Sequence, residues 1–160
     1  MIDLPPSVLA LVELAPVEDI CLRVLREGLP DVPIVSLIAD DAPGLFILVR
    51  RLPALGNWKG DPRFTDWGRF SVNVFAQDPD GDEKSALVSE AVRVVMRNAW
   101  LAHASYPALG SIISIKMRGE PSRKPDWATS TGPVQYADLP TGMWRYESTY
   151  DLKIRKPRGR

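Results

Sequence analysis

The chain has 160 residues, a length that suits one domain with a sizeable buried core. Hydrophobic residues make up 45% and charged residues 25% of the sequence, which is average for soluble globular proteins and excludes both a disordered chain and a helical membrane protein. Lysine plus arginine and aspartate plus glutamate each total 20, so the formal net charge is zero and no global field would attract nucleic acid.

We predict a single domain over residues 1–160, with an N-terminal extension over 1–15 and a basic C-terminal tail over 157–160. The extension has no basic start, and Glu13 and prolines interrupt its apolar run, so it indicates neither a signal peptide nor a membrane span. Cys21 is the only cysteine and cannot form an internal disulfide, which fits a reducing compartment such as the cytoplasm.

The first regular element is an amphipathic helix over residues 16–28. Its apolar side chains recur at helical spacing: Val17, Ile20, Cys21, Val24 and Leu25. Two apolar runs follow, 34–39 and 45–52, and the Asp, Pro and Gly between them predict a hairpin. The next connection, 53–67, is far longer than a hairpin loop requires.

The middle of the chain changes from strand to helix periodicity. Alternating apolar residues predict a half-buried strand over 69–77. After the acidic turn "DPDGDE", an apolar stripe predicts a helix over 83–100 with Asp82 as its N-cap. The stripe consists of Val88, Ala91, Val92, Val95 and Ala99, widened by Leu87 and Val94.

Two further strands, over 110–119 and 143–156, flank a second long connection over 119–141. The last strand has the clearest alternation in the chain. The order of elements predicts an α+β domain, with a mostly antiparallel sheet of about five strands and two main helices packed on one face.

The acidic turn is the first candidate for chemistry, because its carboxylates suggest a calcium loop. An EF-hand loop needs glycine at its sixth position and a chelating glutamate at its twelfth. Counted from Asp78, glycine comes at the fourth position as Gly81, and the twelfth position is Ser89. We therefore interpret the turn as a strand-to-helix connection and expect no metal there.

The sequence contains no recognisable catalytic motif. His103 is the only histidine, and together with the single Cys21 it cannot supply a tetrahedral zinc site. No nucleophile elbow, phosphate-binding loop or dinucleotide fingerprint occurs. A small hydrolase or nuclease that uses Asp61, Asp66 and His103 stays as an alternative, but we expect a protein that is not an enzyme and has no catalytic residue, cofactor or metal.

Aromatic and basic residues concentrate in the two long connections and at the C-terminus. Tryptophan, tyrosine and arginine dominate interface hot spots, so these residues predict contacts with other subunits. The predicted interface residues are Trp58, Lys59, Arg63, Phe64, Trp67, Arg123, Trp127 and Tyr136. The predicted contacts for DNA or an acidic partner are Arg155, Lys156 and Arg158.

Five segments within about residues 16–156 share their pattern and order with one known family. They are "VEDICLRVLREGL", "GLFILVRRL", "DPRFTDWGRFSVNVFAQD", "EKSALVSEAVRVVM" and "GPVQYADLPTGMWRYESTYDLKIRK". Together they resemble the tail terminator proteins of long-tailed bacteriophages, in particular those that infect actinobacteria. The chain differs from that family in its long, proline-rich second connection and its N-terminal extension.

The resemblance implies a structural virion protein that assembles as a homo-hexameric ring and caps the tail tube at its final length. One face of the ring would meet the tube protein and the other a head-completion or connector protein. DNA would pass through the lumen without sequence-specific binding, so we expect basic residues there to be few or weakly engaged. The resemblance also implies the head-proximal end of the tail as location, with assembly in the host cytoplasm. A head-tail neck or completion protein of the same fold family is the alternative.

Overall fold

The computed structural model describes residues 5–11, 17–54, 64–124 and 143–157. These residues form three helices: α1 (Pro6–Leu11), α2 (Val17–Gly28) and α3 (Gly81–Leu101). They also form six strands: β1 (Ile34–Val35), β2 (Leu45–Leu52), β3 (Thr65–Gln77), β4 (Ser105–Tyr106), β5 (Gly110–Lys124) and β6 (Met143–Arg155). The predicted α+β class is confirmed, although the sequence led us to expect about five strands and two main helices. None of the described helices is long and apolar enough to cross a membrane.

The helices α2 and α3 pack side by side on one face of the sheet. α2 buries the whole apolar stripe predicted from the sequence. At the end of α2, a Cβ on Gly28 would lie 2.4 Å from Cγ1 of Val95 in α3, so the helices meet where no side chain fits. The core between helices and sheet includes Ile47, Val49, Phe70, Val72, Val74, Leu152 and Ile154.

The strands form one mixed sheet in the order β1-β2-β3-β6-β5-β4. β1 pairs with β2 in parallel, and the other neighbouring pairs are antiparallel. The predicted hairpin between 34–39 and 45–52 is therefore wrong. Between β1 and β2, Ile38 and Ala42 pack instead on a buried cluster that contains Phe46. That cluster lies on the sheet face opposite α2 and α3. The segment between β1 and β2 shields its apolar side chains from water.

The centre of the sheet is the antiparallel pair of β3 and β6. Their register runs without a break from Thr65 opposite Arg155 to Gln77 opposite Met143. This pairing includes residues 65–67, which the sequence assigned to a loop. A fully paired ladder satisfies the backbone groups of those residues, and this favours strand over loop.

β5 follows β6 on the other side and continues to Lys124, beyond the predicted end at residue 119. Its register with β6 shifts at three places between Ile112 and Ser122, which are β-bulges or similar irregularities. β4 pairs with β5 only at Ser111 and Gly110.

α3 begins earlier than the sequence predicted. The N-cap is Asp80, in the left-handed region with φ 63°, and its side chain makes no capping hydrogen bond. The predicted N-cap, Asp82, lies in the first turn of the helix. Gly81 starts the helix at a very close approach, because a Cβ there would lie 2.5 Å from Trp144 Cδ1 and 2.7 Å from the carbonyl oxygen of Ala76.

The buried face of α3 is rotated away from part of the predicted stripe. Ser85, Ser89, Val92 and Met96 are buried, while Leu87 and Val94 are 63% and 54% exposed. Val88, Val95 and Ala99 still pack against the core. The buried serines are satisfied within the helix: their Oγ atoms donate to Gly81 O and Ala86 O, both at 2.7 Å. Their small side chains can therefore face the sheet without leaving a polar group unpaired.

Candidate interaction surface

Positive charge concentrates on the sheet face opposite α2 and α3, which we call the basic face. Side chains alternate between the two faces along each strand, so the register assigns strand residues to a face. Eight basic residues of the described strands belong to this face: Arg50, Arg69, Lys116, Arg118, Lys124, Arg145, Lys153 and Arg155. Among the described strand residues, the acidic ones on it are Glu147 and Asp151. Among the described strand residues, this face therefore carries six more basic than acidic side chains, although the net charge of the whole chain is zero.

A closed ring of hydrogen bonds lies within this face, across β3 and β6. Asn73 Nδ2 donates to Ser71 Oγ at 2.7 Å, and that hydroxyl donates to Glu147 Oε2 at 2.9 Å. Arg145 Nε donates to Asn73 Oδ1 at 2.8 Å, and Arg145 Nη2 donates to the same Glu147 oxygen at 3.0 Å. Ser71, Asn73 and Arg145 are all buried. We call these four residues the polar ring.

The polar ring allows a guanidinium to lie among buried side chains. A buried charge is tolerated only when it is paired and hydrogen-bonded. Glu147 supplies the opposite charge, Asn73 supplies a neutral acceptor, and the Arg145 guanidinium carbon lies 6.0 Å from the centre of the Phe75 ring. The other Glu147 oxygen lies 3.6 Å from Lys124 Nζ, so one carboxylate is shared by two cations.

Asp151 is the second carboxylate of the basic face and also serves two cations. Arg69 binds it with two hydrogen bonds, of 2.7 and 3.1 Å, and Arg118 Nε donates to it at 2.6 Å. The hydrogen bond from Arg69 is the main cause that lowers the pKa of Asp151 below its ordinary value, with a further contribution from Arg118. The carboxyl group therefore stays ionised and fixes both guanidinium groups on the sheet.

Asp78, just before α3, and Asp82, in its first turn, contact β6 and β5. Trp144 Nε1 donates to Asp78 Oδ1 at 2.7 Å. Asp82 accepts the Tyr146 hydroxyl at 3.1 Å through one oxygen and Arg123 Nη1 at 3.2 Å through the other. The Arg123 guanidinium also lies over the Trp144 ring, 5.3 Å from its centre. Desolvation, then the hydrogen bond to Asp82, raises the pKa of Tyr146. These carboxylates thus secure the helix start to the sheet.

The three predicted interface residues that the structure describes lie at two ends of the sheet. Trp67 lies on the basic face opposite Lys153 and is partly buried, and the neighbouring Phe64 is 62% exposed. Arg123 lies at the other end, beside Asp82. Trp58, Lys59, Arg63, Trp127 and Tyr136 lie outside the described residues.

The predicted DNA contacts also differ from one another in their placement. Arg155 is exposed on the basic face. The Lys156 side chain is only 8% exposed, and its Nζ lies 3.8 Å from Asp66 Oδ2, so its charge is directed to its own chain. Arg158 lies outside the described residues.

Two of the three residues of the alternative hydrolase or nuclease hypothesis belong to the described part of the chain. His103 is exposed just after α3, with φ 45°, and Asp66 pairs with Lys156; Asp61 lies outside the described residues. Burial raises the pKa of the Cys21 thiol. Within the described ranges, no group of three or more histidine, cysteine, aspartate or glutamate side chains could hold a metal ion.

Neither the polar ring nor the Arg69–Asp151–Arg118 cluster was predicted from the sequence. A signal was present, since polar residues alternate with apolar ones in both β3 and β6. The two strands are more than 60 residues apart, with hydrogen bonds between residues separated by 72 and 82 positions. Alternation along one strand gives the face of a residue, but not its partner on another strand.

No protein-family model matches the chain, and a search of curated proteins also returned no match.

Proposed function

We propose that the chain is a tail terminator of a long-tailed bacteriophage, which assembles as a homo-hexameric ring at the end of the tail tube. The resemblance over about residues 16–156 is the starting point, and its segments contribute α2, β2, β3, α3 and β6 to one helix-on-sheet unit. The single observation that best supports the proposal is the basic face. A surface that lines a channel for DNA is expected to carry a charge distribution unlike that of the rest of the subunit.

In this proposal the basic face lines the lumen of the ring. DNA must move through the lumen, so tight binding by unpaired cations would hinder it. Four of the eight basic residues already pair with Glu147 or Asp151: Arg69, Arg118 and Arg145 by hydrogen bonds, and Lys124 by a looser ion pair of 3.6 Å. Pairing lowers their attraction for phosphate and leaves a positive but moderate field. In this arrangement more basic residues face the lumen than we expected from the sequence. Because half of them are paired with carboxylates, their attraction for the passing DNA is weak.

Contacts between subunits would use the end of the sheet where Phe64 and Trp67 lie. Phe64 is an exposed aromatic side chain beside Trp67, and aromatic residues are frequent anchors of protein interfaces. A ring needs one such patch and its complement on each copy, because a rotation by one sixth of a turn then closes the assembly.

The proposal is tested by mixing purified protein with tail tubes of the phage group that the resemblance indicates. Native mass spectrometry should detect six copies per ring, and negative-stain micrographs should show a cap at one end of each tube. A protein that stays monomeric and leaves both tube ends bare would overturn the proposal. The same micrographs distinguish the neck alternative, since a neck or completion protein of the same fold family would decorate isolated heads instead of tube ends.

A further inference from the structure

The outward surface of α3 carries an apolar stripe that the core does not use. Leu87, Val94 and Leu101 recur every seven residues and are 63%, 54% and 57% exposed. Three smaller or polar residues lie beside them on the same surface, each three positions before one of the apolar residues: Lys84, Ala91 and Asn98. In a heptad, these two sets occupy the d and a positions that line the seam between paired helices. The stripe is therefore a seam without a partner helix among the described residues.

We propose that the seam binds the α3 of a second copy of this chain, with the two helices antiparallel and related by a two-fold axis. In an antiparallel pair, each a position faces a d position of the partner helix. Ala91 then lies opposite Val94 of the second copy, Leu87 opposite Asn98, and Lys84 opposite Leu101. This alignment uses all six seam residues over about 26 Å of helix.

Charges beside the seam select a second copy and fix its alignment. The g positions next to the seam are Glu83, Glu90 and Arg97, all exposed. In the alignment above, Glu90 of each copy lies within about two residues, or 3 Å along the axis, of Arg97 of the other. The two-fold axis repeats this Glu90–Arg97 pair, so the dimer contains two of them. Opposite charges flanking a seam are the feature that sets partner choice and orientation in paired helices.

Shifting the helices by one heptad in either direction introduces a like-charge pair and shortens the seam. One shift places Glu90 opposite Glu90 of the second copy; it pairs Glu83 with Arg97 but leaves Asn98 and Leu101 without a seam residue opposite them. The other shift places Arg97 opposite Arg97 and leaves Lys84 and Leu87 without one. A parallel pair would place Glu90 beside Val95, a residue without charge. Glu90 is available for the exchange because its ion pair within the chain is loose, with Glu90 Oε2 lying 3.6 Å from Arg93 Nη1 and a side chain that is 57% exposed.

This two-fold contact is separate from the six-fold contacts of the proposed ring, because it uses the surface of α3 that points away from the sheet. One pair of helices is a small interface, so we expect a dimer that dissociates at micromolar concentrations. The free protein would then be an equilibrium of monomer and dimer before any larger assembly.

The test is sedimentation velocity of the full chain across a concentration series. The wild-type protein should shift from 17.8 kDa towards twice that mass as concentration rises. Glu90→Arg and Arg97→Glu should each raise the dissociation constant about tenfold, since each converts both ion pairs into like-charge pairs. The double variant Glu90→Arg with Arg97→Glu should restore dimerisation. Glu83→Arg is the matched control, because the proposed alignment places no carboxylate, lysine or arginine of the second copy beside it.

Disulfide trapping checks the direction of the helices. In the antiparallel alignment, a Leu87→Cys chain mixed with an Asn98→Cys chain should form a disulfide-linked heterodimer. Each variant alone should not, because its two cysteines would lie about 16 Å apart along the axis. Cys21 is buried and does not compete. A wild-type monomer at hundreds of micromolar, a double charge reversal that fails to restore the dimer, or a link formed by Leu87→Cys alone would each overturn the proposal.

Discussion

Arg145 and Asn73 meet diagonally across β6 and β3, with the arginine Nε donating to the asparagine Oδ1 at 2.8 Å. Asn73 is 1% and Arg145 6% exposed, although both belong to the face that carries exposed charges elsewhere. The Arg145 guanidinium thus donates both to the neutral amide oxygen of Asn73 and to the carboxylate of Glu147. The stability of this part of the sheet depends on the completeness of the polar ring.

The first prediction concerns Glu147. Replacing Glu147 with Ala removes the opposite charge from Arg145 and the acceptor of the Ser71 hydroxyl, so we expect a loss of about 2–4 kcal/mol in the free energy of unfolding. Urea denaturation measures it. Lys124→Ala is the control, because that lysine contacts Glu147 only at 3.6 Å and should cost well below 1 kcal/mol. Equal effects of the two changes would contradict the polar ring as a stabilising unit.

The second prediction is a dependence on pH at Asp151. Its pKa is lowered below the ordinary value of 3.8, so folding favours the ionised form. That contribution is complete above the unfolded pKa and is lost as pH falls through the lower folded pKa. Wild type and Asp151→Asn should therefore differ most in stability near neutral pH, and the gap should close below about pH 4. A gap that stays constant from neutral to acid pH would count against the ion pairs with Arg69 and Arg118.

The third prediction tests the close approach at the start of α3. Gly81→Ala would place a Cβ 2.5 Å from Trp144 Cδ1 and 2.7 Å from a backbone oxygen that cannot move easily. We expect the melting temperature to fall, with a cost of about 1–3 kcal/mol. Gly119→Ala is the matched control: its Cβ would lie 3.5 Å from the nearest atom, an ordinary contact. If both variants melt at the wild-type temperature, the helix start is less constrained than its geometry indicates.

The fourth prediction separates assembly from folding at Trp67. This residue is partly buried at the end of β3 on the basic face. We expect Trp67→Ala to lower the fraction of capped tail tubes more than it lowers the melting temperature, because the change removes the packing of an interface anchor against its partner as well as its packing within the chain. Micrographs and thermal unfolding measure the two effects. A variant that fails to fold would place Trp67 in the core instead.

The fifth prediction concerns the exposed cations Lys153 and Arg155. We expect weak, sequence-independent binding of duplex DNA at low salt, which disappears as salt rises. Changing both residues to Gln should flatten the salt dependence, by about 0.9 in the slope of log K for each phosphate that is no longer neutralised. Arg23→Gln on α2, whose side chain is 59% exposed, should leave the slope unchanged. Fluorescence anisotropy measures all three proteins, and identical slopes would remove DNA from the proposed role of the basic face.

The sequence predicted what depends on local pattern. The alternation over 143–156 matches β6, and the stripe of α2 is buried as expected. The parallel pairing of β1 with β2 was not predictable from the turn residues, because such residues are common in any surface connection; between the two strands, Ile38 packs on the cluster that contains Phe46. The predicted buried face of α3 was partly wrong because two serines occupy the true one. Their hydroxyls donate to carbonyl oxygens of the same helix, and a pattern of apolar residues does not reveal such hydrogen bonds.

The irregular pairing of β5 has a consequence for solubility. Beyond Ser111, no described strand covers the outer side of β5, and an open strand edge is a template for fibre growth. Its register shifts between Ile112 and Ser122 bend this edge, and Lys116, Arg118, Arg123 and Lys124 place charge along it. Many copies can therefore be crowded together without joining their sheets edge to edge into aggregates.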